Sequence, residues 1–159
     1  MRGSTLDEID VKLLTLLQAD GRISQHDLAE DVGLSSPATG ERLRKLEERG
    51  IIKGFTAILD AKLLGSDITA FIAVGIDGSR FYSDFAERAQ AHSEIQECHA
   101  VTGQGSHLLK VRTSDTSTLE LLLAELQSWP GVTSSTTSIV LSAIKDGTGV
   151  ALGDVLSES

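Results

Sequence analysis

From Ile68 onwards the chain contains one strand–helix–strand pattern twice, and this repeat limits the fold more than any other feature of the sequence. The two copies are Ile68–Ile76, Phe81–His92 and Ile95–Val101, followed by His107–Thr113, Ser117–Ser128 and Val132–Leu141. Both helical segments carry apolar residues three and four positions apart. A βαββαβ order predicts a four-stranded antiparallel sheet with both helices on one face, the ferredoxin-like arrangement.

The other face of this sheet is also expected to be apolar. Both alternating sets of residues in Ile68–Ile76 are apolar, so Phe71 or Ile72 must point away from the helices. An apolar face without its own cover needs a partner. We therefore predict a homodimer formed by this half, with partial burial under the linker as the alternative.

The first third of the chain has the period of α-helices. Leucines and isoleucines three and four apart predict a helix over Leu6–Ala19. Ser24 can cap a second helix, and Ser35 or Ser36 a third that ends at Gly50. Two helices separated by only Gly33–Ser35 must cross steeply, which is typical of a helix-turn-helix. A small helical bundle is the alternative.

These patterns predict an α+β protein with an N-terminal, winged-helix-like helix-turn-helix and a C-terminal ferredoxin-like domain. The expected boundaries are 1–52 for the helix-turn-helix, 53–67 for a strand and linker, 68–145 for the ferredoxin-like domain and 146–159 for a tail. Ile51–Leu59 is predicted to be a strand. The tail offers four apolar side chains to a neighbour: Val150, Leu152, Val155 and Leu156.

The charge of the chain weakens, but does not exclude, a role in binding DNA. With 14 basic and 23 acidic residues the formal net charge is -9, which opposes a uniformly basic nucleic-acid binder. Residues 34–56, however, hold five basic and three acidic residues. Because the Debye length is about 8 Å at physiological salt, distant acidic groups repel DNA only weakly.

The third predicted helix has side chains suited to DNA. The side chains in its first turns are short, which permits close approach of the helix to base edges. Basic residues that can reach phosphates or guanine follow them. The candidate DNA-contacting residues are Ser35, Ser36, Pro37, Thr39, Gly40, Arg42, Arg44, Lys45 and Arg49. The alternative is a solvated helix held by surface ion pairs.

The turn between the second and third strands is a candidate ligand site. It comprises Thr102, Gly103, Gln104, Gly105, Ser106 and His107. Two glycines allow backbone amides to point outward, and the polar side chains are neutral, so the turn suits the carboxylate and amino groups of a small molecule. A plain glycine-rich hairpin is the alternative.

Other functions find little support in the residues. A single cysteine, Cys98, cannot form an internal disulfide, and Cys98 and His99 should face opposite sides of a strand, so we expect no metal and no cofactor. No serine lies on a strand-to-helix elbow, and we expect no enzyme. No apolar run reaches the ~20 residues of a membrane span, and the N-terminus lacks the apolar stretch of a signal peptide. We expect a cytoplasmic protein.

Several motifs together resemble the Lrp/AsnC family of transcription regulators. In the N-terminal half they are Leu6–Asp10, Leu17–Arg22, Leu28–Ser35 and Arg42–Ile52. In the C-terminal half they are Val101–Gly103 followed by Leu108–Val111, and Pro130–Val132. The resemblance runs from about Leu6 to Lys145, nearly the whole chain.

This resemblance implies a DNA-binding transcriptional regulator whose operator binding or assembly is modulated by an amino-acid-like effector. The family dimerises through its C-terminal half and commonly assembles further as an octamer of four dimers. By position, Ser36–Lys45 would read double-stranded DNA, and Gly103–His107 with Ser135 and Thr137 would adjoin the effector. Family members often have an aspartate where this chain has Ser106, which carries no charge to pair with an ammonium group. The alternative function is a small-ligand-binding module whose helical half contacts other proteins.

Overall fold

The computed structural model describes residues 6–147 and 149–153. They divide into two compact units: a helical unit, which contains the residues up to Ile58 and from Asp146 onwards, and a sheet unit, Leu59–Lys145. None of the helices in the described ranges is long and apolar enough to cross a membrane. Val155 and Leu156 of the tail lie outside the described residues.

The helical unit contains three helices, each of which begins at a side-chain cap. They are α1 (Glu8–Ala19), α2 (Gln25–Val32) and α3 (Ser36–Glu48). Asp7, Ser24 and Ser35 accept hydrogen bonds from amides in the first turns of these helices. The predicted cap at Ser24 is confirmed, and Ser35 rather than Ser36 caps α3. Capping satisfies amides that a helix leaves without an internal partner.

A short turn and one small core fix the crossing of α2 and α3. Gly33 ends α2 in the left-handed conformation, with φ of 70°, which glycine adopts without steric cost. Leu13, Leu28 and Leu46 contribute one buried side chain from each helix. Burying a leucine is worth about 1.5–3 kcal/mol, so these contacts hold the helix-turn-helix together.

The strand predicted over Ile51–Leu59 is wrong. The amides of Ile51 and Ile52 both donate to the carbonyl of Leu46, at 3.0 and 3.2 Å, and the chain after them has no regular structure. A strand needs a partner for its ladder of hydrogen bonds, and the described part of the helical unit contains none.

The sheet unit has the predicted ferredoxin-like arrangement. Its elements are β1 (Ile68–Ile76), α4 (Tyr82–Ala91), β2 (Ile95–Ala100), β3 (His107–Thr113), α5 (Thr116–Ser128) and β4 (Val132–Ile139), with a short 3-10 turn at Ser79–Phe81 before α4. The strand order is β2-β3-β1-β4, and every neighbouring pair is antiparallel. Both helices pack on one face of the sheet.

The two faces of the sheet differ in burial. Ile72 and Leu109 are opposite each other on β1 and β3 and are fully buried beneath the helices, where Phe85 and Trp129 complete the core. On the other face, which we call the open face, Phe71 is 38% exposed. It adjoins Ala73 and Leu108 on that face. The serines and threonines of β4 lie along one side of these residues.

Candidate functional site

One face of α3 is exposed along its length. Pro37, Ala38, Glu41, Arg44 and Lys45 lie on it, at the three- and four-residue spacing that aligns side chains on a helix. The beginning of α3 is held by α2, because Nε2 of Gln25 donates to the carbonyl oxygen of Ser36 at 2.6 Å. This hydrogen bond fixes the beginning of α3, and with it the exposed face, relative to α2.

Of the predicted DNA contacts, Thr39 lies on the other side of α3, and Gly40 lies half-buried at the edge of the exposed face. Thr39 is completely buried, and its hydroxyl has no hydrogen-bond partner among the described residues; a side chain so placed cannot reach DNA. At Gly40 a Cβ atom would lie 2.7 Å from Nε2 of Gln25. The glycine therefore leaves room for the side chain of Gln25, which joins α2 to α3.

Arg42 connects α3 to the beginning of α1. Its Nη1 atom lies 2.6 Å from Oδ2 of Asp7 and 2.8 Å from Oδ1 of Asp10, and Asp10 is largely buried. The hydrogen bonds to Asp7 and Asp10 raise the pKa of Arg42. For Asp7, partial burial acts to raise the pKa, but the amide of Asp10 and the Arg42 guanidinium outweigh it and lower the pKa. Arg42 thus has a structural role that its sequence position did not indicate.

The exposed basic residues of α3 are paired with acidic ones. Arg44 makes two hydrogen bonds to Glu41, at 3.0 and 2.7 Å, and also contacts Glu48. Lys45 Nζ lies 3.6 Å from Oε1 of Glu41. The hydrogen bond to Glu41 raises the pKa of Arg44, and Arg44 in turn lowers the pKa of Glu41. Such exposed pairs are weak, so Arg44 and Lys45 can exchange Glu41 for a phosphate at little cost. Arg49 caps the end of α3 and is exposed.

The predicted ligand turn folds back onto the end of β1. The amide of Ser106 donates to the carbonyl oxygen of Val74 at 2.8 Å, and the Ser106 hydroxyl donates to the same atom at 3.3 Å. Gly103 and Gly105 have φ of 109° and 85°, and a Cβ atom on Gly105 would lie 2.9 Å from the Val74 oxygen. Only glycine fits at Gly105, so the sequence of the turn is tied to this contact.

The turn and two residues of β4 occupy neighbouring positions of the sheet. Ser135 is opposite Val74, and Thr137 is opposite Ile72, one pair further along the same face. Nε2 of Gln127, on α5, donates to Oγ of Ser135 at 3.3 Å. Ser106 and Ser135 therefore flank Val74 on the two sides of β1, with Thr137 one pair further along, although they come from separate parts of the sequence.

His107 does not share the exposure of this turn. It is buried beside Tyr82 and Phe85, with ring centroids 4.8 and 4.9 Å away, and its Nδ1 atom lies 3.1 Å from Oγ of Ser106. Burial lowers the pKa of His107. We therefore correct its predicted role: His107 supports the turn from the core instead of facing a ligand. Tyr82, which packs edge-on against it, carried no signal in the sequence.

Cys98 lies on the opposite face of its strand from His99. The two residues are opposite Leu109 and Leu108 respectively, so their side chains alternate as expected. Burial raises the pKa of the Cys98 thiol. Within the described ranges, no three histidine, cysteine or acidic side chains are grouped in a way that could hold a metal ion.

Comparison with known proteins connects both halves of the chain with transcription. Residues 6–53 match the family described as winged helix-turn-helix DNA-binding, and residues 69–150 match the Lrp/AsnC ligand binding domain. The chain is 39% identical to the leucine-responsive regulatory proteins of Klebsiella pneumoniae and Escherichia coli K12 over 146 residues. That alignment covers 90% of this chain and 89% of each relative.

The chain is also similar to solved structures of transcriptional regulators. A transcriptional regulator of Neisseria meningitidis in complex with L-methionine is 34% identical, with a TM-score of 0.91, and the match covers 96% of this chain and 100% of that one. AsnC of E. coli is 26% identical, with a TM-score of 0.84 and coverage of 91% and 98%.

The fold and the matches define a transcriptional regulator with a helix-turn-helix DNA-binding half and a ligand-binding half. The chain belongs to the Lrp/AsnC family. The family resemblance read from the sequence is thereby confirmed.

Proposed function

We propose that this regulator binds double-stranded operator DNA through the exposed face of α3, and that an amino-acid-like effector modulates operator binding or assembly. The observation that carries the DNA part is the exposed face itself, with small residues at its beginning and Arg44 and Lys45 behind them. Recognition helices enter the major groove by their N-terminal half. The proposed contacts are Ser35, Ser36, Pro37, Arg44, Lys45 and Arg49.

Gel shifts with the DNA upstream of the protein's own gene test this assignment. Lys45→Ala should weaken binding and make the dependence of affinity on salt less steep, because a phosphate contact releases counterions. Lys62→Ala removes the same charge from an exposed lysine of the sheet unit and should leave both quantities unchanged. Equal binding by the Lys45 variant and the parent would contradict the assignment.

We propose that the effector binds at the turn Thr102–Ser106 together with Ser135 and Thr137. The positions of Ser106 and Ser135 on the two sides of Val74 support this, and so does the neisserial relative, which was solved with L-methionine. The exposed polar groups of the turn suit the ends of an amino acid. Ser106 supplies a neutral hydroxyl, so an effector's ammonium group needs a counter-charge from elsewhere.

Thermal denaturation with each of the twenty amino acids tests the effector site. A specific ligand raises the melting temperature by mass action, by an amount equivalent to about 2.7 kcal/mol at a hundred times its Kd. Ser135→Ala should reduce the response, whereas Ser117→Ala, at an exposed position of α5, should not. If no amino acid shifts the transition, the effector part of the proposal fails and the DNA part stands separately.

We further propose that two copies pair through the open face of the sheet and that the dimers assemble further, up to an octamer. The exposed Phe71 with Ala73 and Leu108 supports the pairing, because a patch of this kind on one subunit favours a second copy. The regulator would act in the cytoplasm, with no membrane partner and no catalytic activity of its own, as its relatives are transcriptional regulators.

The pairing of Arg44 and Lys45 with Glu41 favours a second candidate, a ligand-binding module whose helical unit contacts another protein. Salt dependence distinguishes the two. Operator binding should weaken steeply as salt is added, whereas a protein-binding module would show no affinity for the operator at any salt concentration.

A further inference from the structure

The chain returns to its helical unit after the last strand and is held there by one glutamine. Nε2 of Gln18, on α1, donates to the carbonyl oxygen of Val150 at 3.2 Å, and the amide of Val150 donates to Oε1 of Gln18 at 2.6 Å. A single side-chain amide thus satisfies both backbone groups of one residue. Gln18 recognises the backbone of a peptide segment, independently of that segment's side chains.

An apolar groove lies beside Gln18. Leu14 and Leu17 of α1 form one wall, and Ile51, Ile52 and Phe55 form the other. The groove has a volume of about 490 Å³, and Val150 and Leu152 of the returning segment complete its lining. Leu152 is half-buried there, while Phe55 stays 57% exposed. Val150 itself is 68% exposed, so the returning segment borders the groove as a wall and the volume beside it stays open.

The groove also connects two helices of the helical unit. One wall belongs to α1. The other begins at Ile51 and Ile52, whose amides both donate to the carbonyl oxygen of Leu46 at the end of α3. The returning segment lines the same groove and so adjoins both α1 and the point where the chain leaves α3, the helix that carries the proposed DNA contacts.

We propose that residues 149–152, which we call the strap, dock on Gln18 as a third wall of this groove and thereby stabilise the helical unit. The docked segment is the chain's own C-terminal part, because that part makes both hydrogen bonds to Gln18. Two hydrogen bonds and one half-buried leucine would give only weak binding between separate molecules. Covalent attachment raises the local concentration of the strap to the millimolar range, which makes so small a contact effective.

Hydrogen exchange in the full chain tests the docking directly. The Val150 amide should be protected, and Gln18→Ala should increase its exchange about threefold to tenfold, as expected for loss of one net hydrogen bond. Thr15→Ala, an exposed substitution on the same helix, should not change that rate. If Val150 exchanges equally fast in the parent and in the Gln18 variant, the strap is not docked on Gln18.

Two truncations test the contribution to stability. A chain that ends at Gly153 keeps the strap and should melt like the parent. One that ends at Thr148 lacks it, and the midpoint of its helix-unfolding transition should fall by about 4 °C or more, with faster exchange at Leu14 and Leu17. Equal melting of the two truncated chains would overturn the proposal. Hydrogen-exchange protection of the Val150 amide that decreases on dilution would also overturn the proposal, because it would show that the strap docks on a second copy of the chain.

Discussion

Arg42 joins two helices of the helical unit through hydrogen bonds to two carboxylates. Arg42→Ala should lower the free energy of unfolding by about 1 kcal/mol, a value discounted because Asp7 is half-exposed. The difference from the parent should be complete above pH ~4, the ordinary pKa of an aspartate, and should shrink as pH falls through the lowered pKa of Asp7. Urea unfolding at pH 7 and at several acidic pH values measures both effects.

Arg44→Ala is the matched control for this prediction. Arg44 is also an arginine of α3, but its partners Glu41 and Glu48 lie on the same helix and are exposed. Its loss should leave stability close to that of the parent and weaken operator binding. Unchanged stability of the Arg42 variant, with weaker DNA binding at every pH, would instead restore Arg42 as a DNA contact.

Thr39 buries a hydroxyl without a hydrogen-bond partner among the described residues. Thr39→Val keeps the shape of the side chain and removes the unpaired group, so the free energy of unfolding should rise by about 1 kcal/mol. Thr15→Val, at an exposed site on α1 whose hydroxyl donates to the Val11 carbonyl, should not stabilise. Operator affinity should be unchanged in the Thr39 variant; a marked loss would show that the hydroxyl meets DNA.

Single residues were the least predictable part of the DNA site. Leu46 is buried in the core of the helical unit, and Thr39 lies seven residues before it, two helical turns along the same face. That spacing was sufficient to predict burial of Thr39, but the short polar side chain suggested base contact instead. The role of Arg42 was not predictable, because Asp7 and Asp10 approach it only when α1 packs against α3.

At the scale of secondary-structure elements, α3 is the helix proposed to face DNA, and its exposed basic side chains Arg44 and Lys45 are paired with its own acidic ones. Glu41→Gln should strengthen operator binding about threefold, because it removes a competitor for Arg44 and Lys45 and a charge that repels phosphate. Glu47→Gln makes the same change at another exposed position of α3 and should have a smaller effect. Fluorescence anisotropy with labelled operator DNA measures both; equal affinities for the two variants would contradict this account.

The elements differ in how far their sequences determine them. β1 and β3 extend over the ranges predicted, Ile68–Ile76 and His107–Thr113, because each is rich in apolar residues and has partner strands in the same unit. Ile51–Leu59 has comparable β-forming residues and forms no strand. Propensity alone is insufficient where no neighbouring strand supplies hydrogen bonds.

At the scale of the whole molecule, the open face of the sheet carries the proposed assembly. Phe71→Ser should raise the dimer Kd at least about tenfold, because truncation of a central aromatic side chain removes a main contributor to an interface. Leu121→Ser alters another exposed apolar residue, on α5, and should leave the dimer intact. Sedimentation equilibrium distinguishes the variants, and an unchanged Kd for the Phe71 variant would assign the interface to another surface.

The ligand-binding half was more predictable as a surface than as a set of contacts. Alternation in β1 was enough to place Phe71 and Ile72 on opposite faces, and the glycines of the turn indicated its unusual backbone. The sequence did not reveal that His107 turns into the core, since its burial depends on Tyr82 and Phe85 of α4. Contacts between distant elements decide which polar residues remain available to a ligand.

Trp129 is the chain's one tryptophan, and it lies in the core of the sheet unit with its ring centroid 5.4 Å from that of Phe85. Tryptophan fluorescence therefore reports on the sheet unit, the ligand-binding half of the chain. Binding of an amino acid that perturbs this core would change the fluorescence of Trp129, whereas unfolding of the three N-terminal helices would not. Trp129 is thus an intrinsic fluorescent probe of the sheet unit, and a dye attached to the helical unit would allow the two units to be followed separately.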